Sequence, residues 1–191
     1  MSCEREDTPA NFIQVSREGQ AEVVEALAKE IWTEHYTSII GRGQVDYMLG
    51  KFQTKKAIWE QIKDGENYFL IETGGKFIGY IAVRPEGHEL FVSKIYVSSS
   101  NRRRGFGKKA VQFIECVARG KGLTRISLTV NKNNTGSIKA YENLGFTNTG
   151  PAVRDIGGGF VMDDYRMERN VSSHDTERPM LRKCGRRLKG E

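Results

Sequence analysis

The sequence predicts an α/β (α+β) chain: a single domain on a mixed, mostly antiparallel twisted sheet flanked by about four helices. Three observations predict it. Amphipathic stretches fill the first third, three β-type runs joined by tight turns follow, and then come strand, glycine-rich basic loop, helix and strand in that order. At 191 residues and 38% hydrophobic, the chain is long enough for one good core and short for two.

"FIQV" reads as a short first strand. Segment 19–34 sets Val23, Val24, Leu27, Ile31 and Trp32 on one helical face, with Glu22, Glu25, Lys29 and Glu30 elsewhere. Gly41 and Gly43 interrupt the pattern before "QVDYMLGKF", and "TKKAIWEQIKDG" is a further helix closed by Gly65. "NYFLIE", Gly74-Gly75, "KFIGYIAV", a Pro85 to Gly87 turn and "ELFVSKIYV" spell an antiparallel meander. "KKAVQFIECVARG" is a helix with the stripe Ala110, Phe113, Ile114 and Val117. "LTRISLTV" is a strand, "TGSIKAYENLG" a short helix and "FVMDDYRMER" a last strand. The expected order is β, α, α, β, β, β, α, β, α, β.

Charge narrows the function classes. The formal net charge is +6, of which residues 171–191 hold six Lys/Arg against three Asp/Glu, so the folded part is only mildly basic and nucleic acid is not the expected partner. Cys3, Cys116 and Cys184 match neither a zinc spacing nor a disulfide framework, which points to a reducing cytoplasm and to no metal. The polar start and the lack of any apolar run near ~20 residues imply a soluble, non-membrane protein.

"NRRRGFGKKA", residues 101–110, is too cationic for core and too glycine-rich for ordinary helix. A phosphate-binding G-x-x-x-x-G-K-[ST] loop fails, since Gly107 is followed by Lys108-Lys109. A dinucleotide fingerprint matches at Gly105, Gly107 and Ala110. It lacks the strand directly before it, and the next strand ends in Asn131 where an acidic residue is needed. A solvated basic loop remains an alternative. Common to the anion readings is a helix start near Gly105 with unpaired N–H groups facing a glycine-lined approach.

Arg102-x-x-Gly105-x-Gly107, then helix, strand and "NNTGSIKAYENLGF", resembles the acetyl-CoA-binding core of the GNAT N-acetyltransferase superfamily. Its [QR]-x-x-G-x-[GA] and N-x-x-[AS]-x-x-x-Y-x-x-x-G-F motifs are matched, the second by Asn134, Ser137, Tyr141, Gly145 and Phe146. "SKIYV", "DIGGG" and "FVMDDYRM" are further similar to the PaiA-like branch, associated with polyamine acetylation. The resemblance implies a GNAT domain over 11–169, between a flexible 1–10 and a disordered basic tail, 170–191. It implies acetyl-CoA as cosubstrate and a small primary amine, polyamine-like first, as acceptor. Protein N-terminal or lysine acetylation, and an inactive acyl-CoA sensor, are the alternatives; a homodimer is compatible.

The same resemblance implies the site. Backbone around Ile95 and Val97 would pair with pantetheine. The loop Arg102, Arg103, Arg104, Gly105, Phe106, Gly107 and Lys108 would hold the pyrophosphate. Asn134 and Ser137 would line the pantetheine region, and Tyr141 would protonate the leaving thiolate. An amine of pKa ~10.4 is mostly ammonium at pH 7, a shortfall of roughly 4 to 5 kcal/mol that burial or a base must cover. Many relatives place a glutamate where this chain has Ser93, followed by Lys94. Glu89 shares the Ser93 face by period-two counting but lies about 13 Å away. The remaining acceptor-side candidates are His35, Asp46, Tyr47 and, of the adjacent pair Asp163 and Asp164, the latter.

Overall fold

The structure, a computed structural model, describes residues 8–171; Cys3, Cys184 and the expected basic tail from 172 onward lie outside them. Fourteen elements follow: β1 (Asn11–Gln14), α1 (Glu18–His35), α2 (Thr37–Ile40), α3 (Arg42–Phe52), α4 (Lys55–Lys63), β2 (Asn67–Thr73), β3 (Lys76–Glu86), β4 (Glu89–Val97), a 3-10 turn (Ser99–Asn101), α5 (Phe106–Gly120), β5 (Arg125–Asn131), α6 (Thr135–Asn143), β6 (Thr147–Gly157) and β7 (Phe160–Asn170).

The helices start where the chemistry allows. The Gln20 side chain reaches back to the amides of Ser16 and Arg17 to cap α1, and Thr54 accepts the Ala57 amide to cap α4. Gly41, at φ 82°, sharply separates α2 from α3. These two helices exceed the sequence expectation: the four-residue α2 carries no periodic stripe to read, and Gly43 and Gly50 interrupt that of α3.

One seven-stranded sheet has the order β1-β2-β3-β4-β5-β7-β6. The meander β2-β3-β4 forms as expected, with Gly74 and Gly75 both at positive φ in the two-residue turn. Pro85 lies within β3, opposite Leu90, so the second turn falls at Gly87-His88. The strand β6 is an addition. It forms the sheet edge, mostly exposed and broken by Gly150 and Pro151, so no apolar alternation betrays it.

Both faces of the sheet are covered, which explains why "YFLI" of β2 is continuously apolar. Tyr68 and Leu70 pack with Val24, Leu27, Ile31, Trp32, Met48 and Ile58 under α1, α3 and α4. Phe69 and Ile71 pack with Val111, Ile114 and Val117 of α5 on the other face.

Two irregularities position the site. The parallel pair β4·β5 is in register only from Glu89–Val92 against Arg125–Leu128. Beyond it, β4 stays with β3, while Thr129 to Asn131 stay with β7, so a wedge opens inside the sheet. At the same point, Ala82 faces Lys94 but Val83 faces Val92, so Ser93 is the extra residue of a β-bulge.

Candidate functional site

The wedge leaves the far end of β4 with an unpaired edge. The Ser98 amide bonds the Ile78 carbonyl on the β3 side (2.8 Å), so alternation turns the peptide groups of Ile95 and Val97 to the unpaired edge. Arg102 braces that edge: its Nε donates to the Val97 carbonyl (3.0 Å) and its Nη1 lies 3.1 Å from His35 Nδ1. Its Nε and Nη1 are thus engaged within the protein, and the residue lines the larger cavity.

The loop then turns through Arg103 at φ 59° and Gly105 at φ 85°, where only glycine is unstrained. The first helical bond of α5 runs from Lys109 N to Gly105 O, leaving the amides of Phe106, Gly107 and Lys108 without intrahelical partners. A Cβ at either Gly105 or Gly107 would meet nothing within 4 Å, so the approach is open. This is an anion cradle at the positive end of a 15-residue helix.

Two cavities flank the wedge. One, about 210 Å³, is lined by Ile95, Val97, Arg102, Arg103, Phe106, Gly107, Ser137 and Tyr141, with His35. The other, about 90 Å³, lies under α2 and α3 and is lined by Ile40, Gln44, Met48, Ser93, Lys94, Asn131, Asn134 and Asp164. Tyr36, Ile95, Tyr96, Ser137 and Tyr141 border both. Arg104, Gly105 and Lys108 line neither; Arg104 Nη1 bonds Asn101 Oδ1 at 3.2 Å.

Asn134 caps α6, its Oδ1 accepting the Ser137 amide at 3.3 Å. Its residue is only 4% exposed, yet Nδ2 makes no hydrogen bond, although it lies beside His35 and Tyr36. A buried, unpaired donor on a residue that lines the smaller cavity is what a polar ligand would satisfy. Burial raises the hydroxyl pKa of Tyr141 well beyond its ordinary value, and that of Tyr36 to about 12 despite the opposing charge of Arg102. Both stay protonated donors. Burial and the Arg102 charge push the His35 pKa down, which favours a neutral imidazole; it lines the larger cavity and not the smaller.

The acceptor-side expectations divide. Asp164 is buried, lines the smaller cavity, and has its carboxyl pKa raised by burial against hydrogen bonds from Thr129 and the charge of Arg154. Asp163 points outward to Lys132 at 2.5 Å, as strand alternation requires. Asp46 is exposed and paired with Arg42 at 2.8 Å, and Tyr47 donates to the Ile156 carbonyl at 2.7 Å. Neither lines the cavity: the docked α3 turns Gln44 and Met48, an i, i+4 pair, inward instead. Glu89 is held by Arg166 (2.5 Å) and Arg125 (3.1 Å). Burial would raise its carboxyl, but those partners and Ser127 hold it low, so it is structural.

Sequence reasoning missed Tyr36, Tyr96 and Glu66. Tyr36 follows Trp32 by one turn and stacks on it at 4.8 Å, a visible aromatic pair at the end of α1. Glu66 touches the Ser93 hydroxyl and lies 3.7 Å from Lys94 Nζ, which donates to Gln61 at 2.8 Å. Burial, partly offset by Glu66, lowers the Lys94 pKa to about 8.

The site is thus a parted strand pair with unpaired helix amides at one mouth and a cavity lined by Asp164 at the other. The chain belongs to the acetyltransferase (GNAT) family, whose model matches residues 25–146. It is 29% identical over 98 residues to N-acetyltransferase 8 of Rattus norvegicus, covering 48% of this chain and 44% of that protein. It is 36% identical over 98 residues to the mycothiol acetyltransferase of Corynebacterium glutamicum, covering 50% and 32% respectively. The chain thus matches less than half the length of either. The crystal structure of the PaiA N-acetyltransferase from Thermoplasma acidophilum in complex with coenzyme A superposes with TM-score 0.67 at 18% identity, covering 85% of this chain and 99% of that one. That likeness shows the GNAT fold. Among the described residues, no helix is long and apolar enough to cross a membrane.

Proposed function

We propose that this chain transfers the acetyl group of acetyl-CoA directly to a small primary amine, polyamine-like in chemistry. The observation that carries the reading is the wedge between β4 and β5, whose two flanking cavities meet at Tyr141. The residues present fit the coenzyme: amides of Phe106 to Lys108 for the pyrophosphate, the free edge at Ile95 and Val97 for the pantetheine amides, and the unpaired Asn134 Nδ2 for a polar group at the smaller cavity. The PaiA structure of the same fold is a coenzyme A complex, which supports coenzyme A as the ligand class. Bound acetyl-CoA supplies an activated acyl thioester.

The chain's own residues do the rest. Asp164 attracts the cationic amine and orients it in the cavity. The small volume, roofed by Ile40 and Met48, suits a slender amine better than a peptide, which needs an open groove. The Tyr141 hydroxyl, kept protonated by burial, gives its proton to the departing thiolate of pKa about 8 to 9. A cytoplasmic location and a homodimer remain compatible with this reading.

The test is thiol release from acetyl-CoA with a panel of polyamines, aminoglycosides, amino acids and short peptides, beside a Tyr141→Phe variant. Turnover concentrated on small diamines and polyamines, with kcat reduced about tenfold or more in the variant, is the expected result. Turnover on peptides alone would replace the polyamine assignment by protein acetylation. Coenzyme binding without turnover on any amine would favour the sensor.

A further inference from the structure

The reaction needs a proton acceptor for the incoming ammonium, and the resemblance leaves its usual strand position filled by Ser93. The fold returns a carboxylate to that place from another strand. Glu66, the residue before β2, is 9% exposed and directs Oε1 at the Ser93 hydroxyl, which lines the acceptor cavity. Ser93 is also the bulged residue of β4, one position past the last β4·β5 pair, so its hydroxyl stands where the wedge begins to open. Glu66 is fixed from behind: its amide donates to the Gln61 carbonyl at 3.0 Å, and Lys94 Nζ lies 3.7 Å from Oε1.

We infer that Glu66 takes the proton of the acceptor ammonium through the Ser93 hydroxyl. The inference rests on the amine-acetylation reading above. The ammonium gives a proton to Ser93 Oγ as the hydroxyl proton passes to Glu66 Oε1. The neutral amine nitrogen then bonds to the thioester carbonyl carbon. The C–S bond breaks, and the thiolate takes the Tyr141 proton. Glu66, now a carboxylic acid, returns its proton to solvent, and the amide nitrogen's surplus proton restores Tyr141. Ser93 is the group that meets the amine; Glu66 is the positioning residue behind it.

The charged and titratable neighbours agree with this. Glu66 faces Lys94 of β4, Arg84 of β3 and Tyr68 of β2, and Lys94 in turn faces Arg154 of β6. Lys94 and Arg84 thus set positive charge on two sides of the Glu66 carboxyl group. Lys94 itself is a donor here, to Gln61 and to Ser93 Oγ at 3.4 Å.

The experiment compares Glu66→Gln, Ser93→Ala and the double variant Glu66→Gln with Ser93→Glu in the thiol-release assay from pH 6.5 to 9.5. Glu66→Gln is expected to lower kcat about 100-fold at pH 7, with KM for acetyl-CoA changed less than about twofold. The deficit should shrink as pH approaches the amine's own pKa, because more amine arrives neutral. The double variant, with its carboxylate moved onto β4, should recover at least tenfold. Ser93→Ala removes no charge and tests the relay even if Glu66→Gln does not fold; a wild-type rate and pH profile in Ser93→Ala overturns the proposal. So does a Glu66→Gln deficit that stays constant with pH and is not rescued by Ser93→Glu. Absence of turnover by the unaltered chain on every amine would overturn the amine reading and the relay with it; turnover indifferent to Glu66 would overturn the relay alone.

Discussion

Gly79→Ala tests whether the backbone of β3 sets the geometry of the wedge. Gly79 lies opposite Val97, and a Cβ there would stand 2.1 Å from the Tyr96 carbonyl oxygen and 3.0 Å from Val97 Cα. Both are main-chain atoms, so no rotamer change relieves the clash. Restoring ordinary contact displaces Tyr96 by about 1 Å, enough to break the 2.8 Å bond from Ser98 N to Ile78 O nearby. One or two lost backbone bonds at about 1 kcal/mol each, plus about 1 to 3 for overpacking, come to about 2 to 5 kcal/mol. Alanine's lower entropy cost returns about 0.5. Urea and thermal unfolding should show a loss of about 1.5 to 4.5 kcal/mol, roughly 3 to 18 °C in Tm for a domain of this size. Coenzyme A affinity should fall about tenfold, because the displaced residues carry the open edge. A Gly79→Ala protein with unchanged midpoint and affinity would refute the reasoning.

Lys94 gives a pH prediction. Its folded pKa of about 8 lies below the ordinary 10.5, so the unfolded chain binds more protons between those values and stability rises with pH across that window, with no slope below it. Relative to Lys94→Met, the wild type should gain about 3 kcal/mol between pH 7.5 and 10.5 in urea titrations; a flat difference would oppose the burial argument. Asp164, with its carboxyl raised by burial, contributes stability at low pH that is lost as pH rises through its folded value. Asp164→Asn should therefore match or exceed wild-type Tm at pH 8 while KM for the amine rises about tenfold or more. Arg102→Lys loses the fork that spans Val97 and His35, and should raise KM for acetyl-CoA about fivefold with little change in kcat.

How legible these features are in the sequence depends on how local their causes are. The loop at 102–108 is readable because positive φ at Gly105 and a helix start constrain the residues themselves. Asp164 separates from Asp163 by strand alternation alone. Asp46 and Tyr47 mislead because the rotation of α3 about its axis is fixed by what it docks against, and a helix of eleven residues interrupted by Gly43 and Gly50 does not reveal it. The bulge at Ser93 resets the phase of β4, so counting by two from Glu89 fails across it. The Glu66–Ser93 contact joins positions 27 apart, and only the folded β2-β3-β4 meander brings them together.

The divergence of β4 from β5 leaves this sheet with an edge in its interior. Outer edges such as those of β1 and β6 are open to neighbouring chains and invite unwanted association. An inner edge is walled by helices and by the strands that continue on either side, so only something as slender as a flexible amide-bearing arm can reach it. On the coenzyme placement proposed above, recognition there is written in peptide groups, which every residue but proline carries alike. Side chains along 95–97 can therefore drift in sequence while the docking rail stays the same, and the chemistry of the flanking cavities can diversify around it.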